Sequence, residues 1–174
     1  MGVLTRGRAY AYAFWLAAAG LAAQGAYAGL DVDPALEAAF VYNFAKFTDW
    51  PDSMAGMPFT LCVADRRDEL FAAFHRLEGR PVHGRELHVR RLGGPADALH
   101  CQVVFVGDIV AADYLRALPA ALTVGDSEGF AAAGGVIGLI VQDNRMQFEV
   151  NLEAARRANL KLSSQMLKLA RIVK

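Results

Sequence analysis

The sequence is short of the side chains that protein chemistry most often draws on. It has two cysteines and four histidines. His83 and His88 lie five apart in a stretch that reads as extended, so they face opposite ways and a shared metal would need a bulge. Neither H-E-x-x-H nor C-x-x-C occurs, so the usual zinc and dithiol signatures are missing and no metal site is expected. Charge of one sign is not in excess either, with 18 Lys and Arg against 18 Asp and Glu. Without a basic stripe, non-specific nucleic-acid binding has no driving force.

Other catalytic signatures are also lacking. Ser127 and the pair Ser163-Ser164 have no G-x-S-x-G elbow, which argues against a serine hydrolase. The stretch from Gly129-Phe130 to Gly134-Gly135 has the glycines of a phosphate loop but the wrong order. It follows a loop, carries no Lys-Ser/Thr, and leads into a strand, whereas phosphate sits where a strand leads into a helix. These glycines read as turn residues. No cofactor is implied, and no convergent set of titratable groups marks an active site.

The start of the chain carries an address. Arg6 and Arg8 precede an apolar run from Ala11 to Ala23, and Ala26-Tyr27-Ala28 supplies an A-x-A cleavage pattern. Residues 1–28 are therefore expected to be a signal peptide, with an uncleaved anchor as the alternative. The apolar run is shorter than the roughly 18 residues a spanning helix needs, and no later run reaches that length. The expected product is one periplasmic domain over residues 29–174, not embedded in the membrane after cleavage. In an oxidising compartment the default for Cys62 and Cys101 is one disulfide. Two buried thiols, or His100-Cys101 as a catalytic pair, are the competing readings.

Periodicity sets the expected elements. Asp33-Pro34 starts a helix that should run to about Asp49 and stop before Pro51. Its inner stripe is expected to be Leu36, Phe40, Phe44 and Phe47. Phe59–Ala64 and the near-continuous apolar run Cys101–Gly107 read as buried strands. Helices are expected over Asp68–Leu77 and Ala111–Leu118, strands over Ala121–Val124 and Val136–Gln142. Asp143-Asn144 is a hairpin signal leading into the strand that begins at Met146. Asn151 should cap a helix over Leu152–Arg157, and Ser163 a closing helix with Met166, Leu167, Leu169, Ala170 and Val173 inward. Strands alternating with helices predict an α/β three-layer sandwich, with a mixed, mostly parallel sheet and a C-terminal antiparallel hairpin.

Two groups of residues are candidates for binding. The aromatic surface of the first helix, with Phe44, Phe47 and Trp50, is either ordinary core or in part the wall of a groove for a partner or small ligand. One exposed apolar patch drawn from Phe44, Phe47, Trp50, Phe148 and the closing helix is the expected docking surface. Arg145, Glu149 and Asn151 lie close together at the end of the hairpin. There Glu149 is a surface charge, a carboxylate held by Arg145, or a polar anchor in a binding site.

Three blocks in order carry a resemblance. They are AAFVYNFAKFTDWP from Ala38 to Pro51, Gly129-Phe130 with Gly134-Gly135, and FEVNLEAARRANLKLSSQMLKLARIV from Phe148 to Val173. Together they resemble the YfiR family over nearly the whole chain after the leader. The resemblance implies a non-enzymatic periplasmic repressor that binds the periplasmic sensor part of an inner-membrane diguanylate cyclase. An outer-membrane peptidoglycan-associated lipoprotein relieves that repression in the family, so cyclic-di-GMP output and biofilm formation follow the balance. It further implies that Cys62 and Cys101 form the family's structural disulfide, that Glu149 and Asn151 fall in its most recognisable motif, and that the chain forms a homodimer. The second cysteine pair of the best-known relative is missing here, so redox control through that pair is not implied. From another class, a periplasmic small-ligand carrier or sensor using the aromatic groove is the alternative.

Overall fold

A computed structural model describes residues 32–51, 56, 58–118 and 120–172. The expected leader, residues 1–28, and Val173 lie outside the described residues. In chain order the elements are α1 (Pro34–Lys46), β1 (Thr48–Asp49), β2 (Phe59–Ala64), α2 (Asp68–His75), β3 (Pro81–Val82) and β4 (Arg85–Arg91). A 3-10 turn over Pro95–Ala98 precedes β5 (Val103–Val106), α3 (Ala111–Ala117), β6 (Leu122–Gly125), β7 (Ile137–Gln142) and β8 (Arg145–Val150). The chain closes with α4 (Leu152–Arg157), β9 (Lys161–Leu162), α5 (Ser164–Leu167) and β10 (Arg171–Ile172).

Eight strands form one mixed sheet in the order β10-β8-β7-β6-β5-β2-β4-β3, and β1 pairs with β9 in a separate two-stranded sheet. From β4 to β7 every neighbour is parallel. The β7–β8 hairpin is antiparallel, turning through Asp143 and Asn144 at φ 51 and 58, angles that Asn and Asp tolerate best after glycine. Both faces of the central strands are covered, which is why their sequences are apolar without alternation. Leu61, Val63, Val103, Phe105, Leu122 and Val124 join the core that includes Val41 and Phe44 of α1 and Leu70 and Phe74 of α2. Cys62, Ala64, Val104 and Val106 belong to a second cluster with Tyr114, Leu118 and Phe130. In that cluster Cys62 and Cys101 form the disulfide, Cα atoms 5.9 Å apart.

The glycine stretch is a packing device. Phe130 is 2% exposed, and a Cβ at Gly125 or Gly135 would collide with its ring. Glycine at both positions lets two backbone segments close directly on the aromatic face. Gly129 and Gly134 turn the chain at φ 70 and 114.

Three expectations about the elements need correction. The first helix ends at Lys46, not near Asp49, because Thr48 and Asp49 pair with Leu162 and Lys161. Thr48 Oγ1 donates to the Phe44 carbonyl at 2.8 Å, closing the helix end. The inner stripe of α1 is Glu37, Ala38, Val41, Phe44 and Ala45, whereas Leu36 and Phe47 are exposed. Ala38 and Ala45 let the helix approach the sheet, Phe44 stays in the buried stripe, and Phe40 and Phe47 lie towards its flank. The closing helix stops after Leu167. Ser163 caps it through a bond from the Met166 N–H, but Arg171 and Ile172 then pair in parallel with Glu149 and Val150. Pairing there satisfies backbone groups that the outer edge of β8 would otherwise leave open.

Candidate functional site

A groove opens beside α1, between this helix, β8 and α5. It has a volume of about 410 Å³ and is lined by Phe40, Asn43, Phe44, Phe47, Phe148, Gln165, Met166 and Leu169. Its floor is aromatic. The Phe44 and Phe148 centroids lie 4.8 Å apart, and Phe40 meets them edge-on at 5.9 and 6.3 Å. Tilted and edge-on pairs like these add favourable quadrupole contacts to simple burial. Phe44, Phe148 and Met166 are buried, while Phe47 at 39% and Leu169 at 77% exposure form an open apolar rim. Asn43 and Gln165 supply the polar groups of the lining.

The other expected site residues lie elsewhere. Trp50 sits outside this groove. Its indole Nε1 donates to the Gln102 carbonyl at 3.2 Å, and its ring packs edge-on against Phe59 at 5.0 Å. It borders a second depression with Asp49, Pro51, Arg156 and Lys161. Asn151 is buried and caps α4, accepting from the Ala154 N–H at 2.9 Å and donating to the Ala131 carbonyl at 2.8 Å. One side chain thus ties the last helices to the glycine stretch. Arg145 is exposed and Glu149 half-buried. Among the described residues no ion pair joins them; four residues along a strand put their Cα atoms roughly 13 Å apart.

Sequence reasoning missed Phe40, Asn43 and Gln165, because the position of the groove depends on which face α1 turns to the sheet. It also missed a polar cluster at the carboxyl ends of β2 and β6. Asp65 is 5% exposed and accepts from the backbone N–H groups of Arg67 and Asp108 at 2.6 and 3.0 Å. The Arg67 guanidinium donates to both Asp65 oxygens and, at 2.6 Å, to Asp126. Burial opposes the Asp65 charge, but the bonds from Arg67 and Asp108 outweigh it and hold the carboxyl below its ordinary range. Glu37, in the first turn of α1, is the reverse case. Burial raises its pKa to about 7, helped by Asp126 and Asp65 and opposed by Arg67. The spacing Asp65-x-Arg67 just after a buried strand was the local signal for this cluster, and Glu37 had none.

Among the described residues no group of three or more His, Cys, Asp or Glu is arranged to hold a metal ion. Nor is any helix among them long and apolar enough to cross a membrane.

A family model described as YfiR/HmsC-like matches residues 34–171. Among solved structures, the chain is similar to a conserved domain protein from Vibrio cholerae O1 biovar El Tor str. N16961, with a TM-score of 0.55 and 11% identity. The alignment covers 83% of this chain and 61% of that one, so the likeness is one of fold. None of the curated proteins matches.

Proposed function

The chain belongs to the YfiR/HmsC-like family, and from that premise we propose that it is a periplasmic regulatory protein rather than an enzyme. It binds and represses the periplasmic sensor part of an inner-membrane diguanylate cyclase, which lowers cyclic-di-GMP signalling and biofilm formation. An outer-membrane peptidoglycan-associated lipoprotein competes for the repressor, and the chain works as a homodimer.

The observation that carries this reading is the groove between α1, β8 and α5. Its lining is mostly apolar, its floor is built of rings in contact, and its rim exposes Phe47 and Leu169. A few aromatic and aliphatic anchors of this kind dominate the energetics of protein interfaces. The Cys62–Cys101 disulfide suits an oxidising compartment. Capture of the cyclase's periplasmic part by the purified chain, and a rise in cyclic-di-GMP on deleting the gene, are the expected results. Absence of both removes the proposal.

A second reading has one observation in its favour. The groove volume, about 410 Å³, lies within the range of roughly 300–1,000 Å³ typical of small-molecule sites. A saturable metabolite that shifts thermal stability in wild-type protein but not in Phe47→Glu would favour a small-ligand carrier or sensor over the repressor.

A further inference from the structure

The parallel strands part between β2 and β5. From β2 the chain passes through α2 to β4 on one side, whereas from β5 it passes through α3 to β6 on the other. Connections that diverge in this way leave a crevice beyond the carboxyl ends of the strands, the usual place for a ligand in open α/β sheets. Here the Asp65–Arg67–Asp126 chain stands at that end of the sheet. Beside it lies a cavity of about 520 Å³ lined by Val32, Arg67, Asp126, Glu128, Leu139 and Val141, among others.

Glu37 points to what is missing. It is 3% exposed, and its Oε2 has no hydrogen-bond partner. Buried carboxyl oxygens are rarely left this way, since an unmet one forfeits its bonds to water. The charged groups acting on it are Asp126, Arg67 and Asp65. One guanidinium faces two aspartates, so the cluster carries net negative charge before Glu37 or the neighbouring Glu128 is added. An anion would therefore be repelled, and Nε and Nη2 of Arg67 are already engaged by Asp65 and Asp126. The described acids are not arranged for a bare metal ion. A group with directional N–H donors and positive charge fits what remains.

We propose that this cavity, on the β7 and β8 side of the Asp65–Arg67–Asp126 chain, binds a small organic cation, an amine or guanidinium carrying an apolar body. Its N–H groups meet Asp126 and the Oε2 of Glu37, and its body lies along Leu139 and Val141. The site shares no lining residue with the groove of the proposed docking surface, so the two readings stand or fall separately.

Titration calorimetry of the purified chain tests this, with phenethylamine and agmatine as cationic probes and 3-phenylpropionate as the anionic control. Saturable binding of at least one cation, and none of the anion, is expected. Because the incoming charge ionises Glu37, binding at pH 6 should release close to one proton, and much less at pH 8. Glu37→Gln should abolish that release and weaken binding at least tenfold. Asp126→Asn should weaken binding by a similar factor while keeping the release, and it serves as the test if the first variant does not fold. Phe47→Glu should leave all of these values unchanged. Failure of both cations to bind, equal binding of the anion, or wild-type affinity in either carboxylate variant overturns the proposal.

Discussion

Phe44 and Phe148 hold their ring centroids 4.8 Å apart, one from the third turn of α1 and one from β8. This contact joins the first helix to the hairpin and forms the floor of the groove, so truncating it affects stability before it affects binding. Phe148→Ala should cost about 3–5 kcal/mol, the range for removing a buried aromatic ring. Chemical denaturation should show a lowered midpoint with little change in slope.

Rim residues should separate the two effects. Phe47 and Leu169 are exposed, so Phe47→Glu and Leu169→Glu should each change stability by no more than about 0.5 kcal/mol, as surface substitutions usually do. Thermal melts of the purified variants check this, and their overlap with wild type is what makes them usable in binding assays.

The disulfide closes a loop of 39 residues. In the chain-entropy account that closure stabilises the fold by about 4 kcal/mol. Cys62→Ala with Cys101→Ala, or full reduction of the wild type, should lower stability by an amount of this order, read by urea denaturation with and without reductant.

Asn151 serves two backbone groups at once. Asn151→Ala should cost about 1 kcal/mol for the lost helix cap and roughly 1–3 kcal/mol more for the stranded Ala131 carbonyl. Asn151→Asp keeps the acceptor but lacks the donor, so it should recover only the cap. Comparing the two by calorimetry separates the contributions.

Legibility followed the range of the interactions. Asp33-Pro34, Asn151 and Ser163 were readable as helix starts because a cap depends on residues two or three positions away. Asp143-Asn144 was readable for the same reason. The early ends of α1 and α5 were not, since both are set by pairing with strands from distant parts of the chain. Phe44, Phe47 and Phe148 line one groove, but Phe44 and Phe148 are buried in its floor rather than exposed, and Trp50, three residues past Phe47, turns the other way to reach Gln102. Glu37 looked like an ordinary first-turn acid. Only the fold brings Asp65, Arg67 and Asp126 around it.

The pH dependence of stability follows from those groups. Glu37 has a pKa of about 7 in the folded chain against an ordinary 4.5, so between these values the folded state holds more protons than the unfolded one. Its contribution is therefore present at low pH and lost as pH rises through about 7. Asp65, held below its ordinary 3.8, acts oppositely, and its contribution is lost as pH falls through its folded pKa. Wild type should be most stable in mildly acidic solution. Glu37→Gln should flatten the profile between pH 5 and 8 and gain stability on the order of 2 kcal/mol at pH 8. Denaturation midpoints across that range decide it.

The central claim is that the groove beside Phe44 and Phe148 docks the periplasmic part of a membrane-bound diguanylate cyclase. Its most direct test measures the affinity of that part for wild type and for the double variant Phe47→Glu, Leu169→Glu, with both proteins first shown to melt at the same temperature. A loss of at least a hundredfold is predicted. Equal affinity for the two proteins would contradict the account.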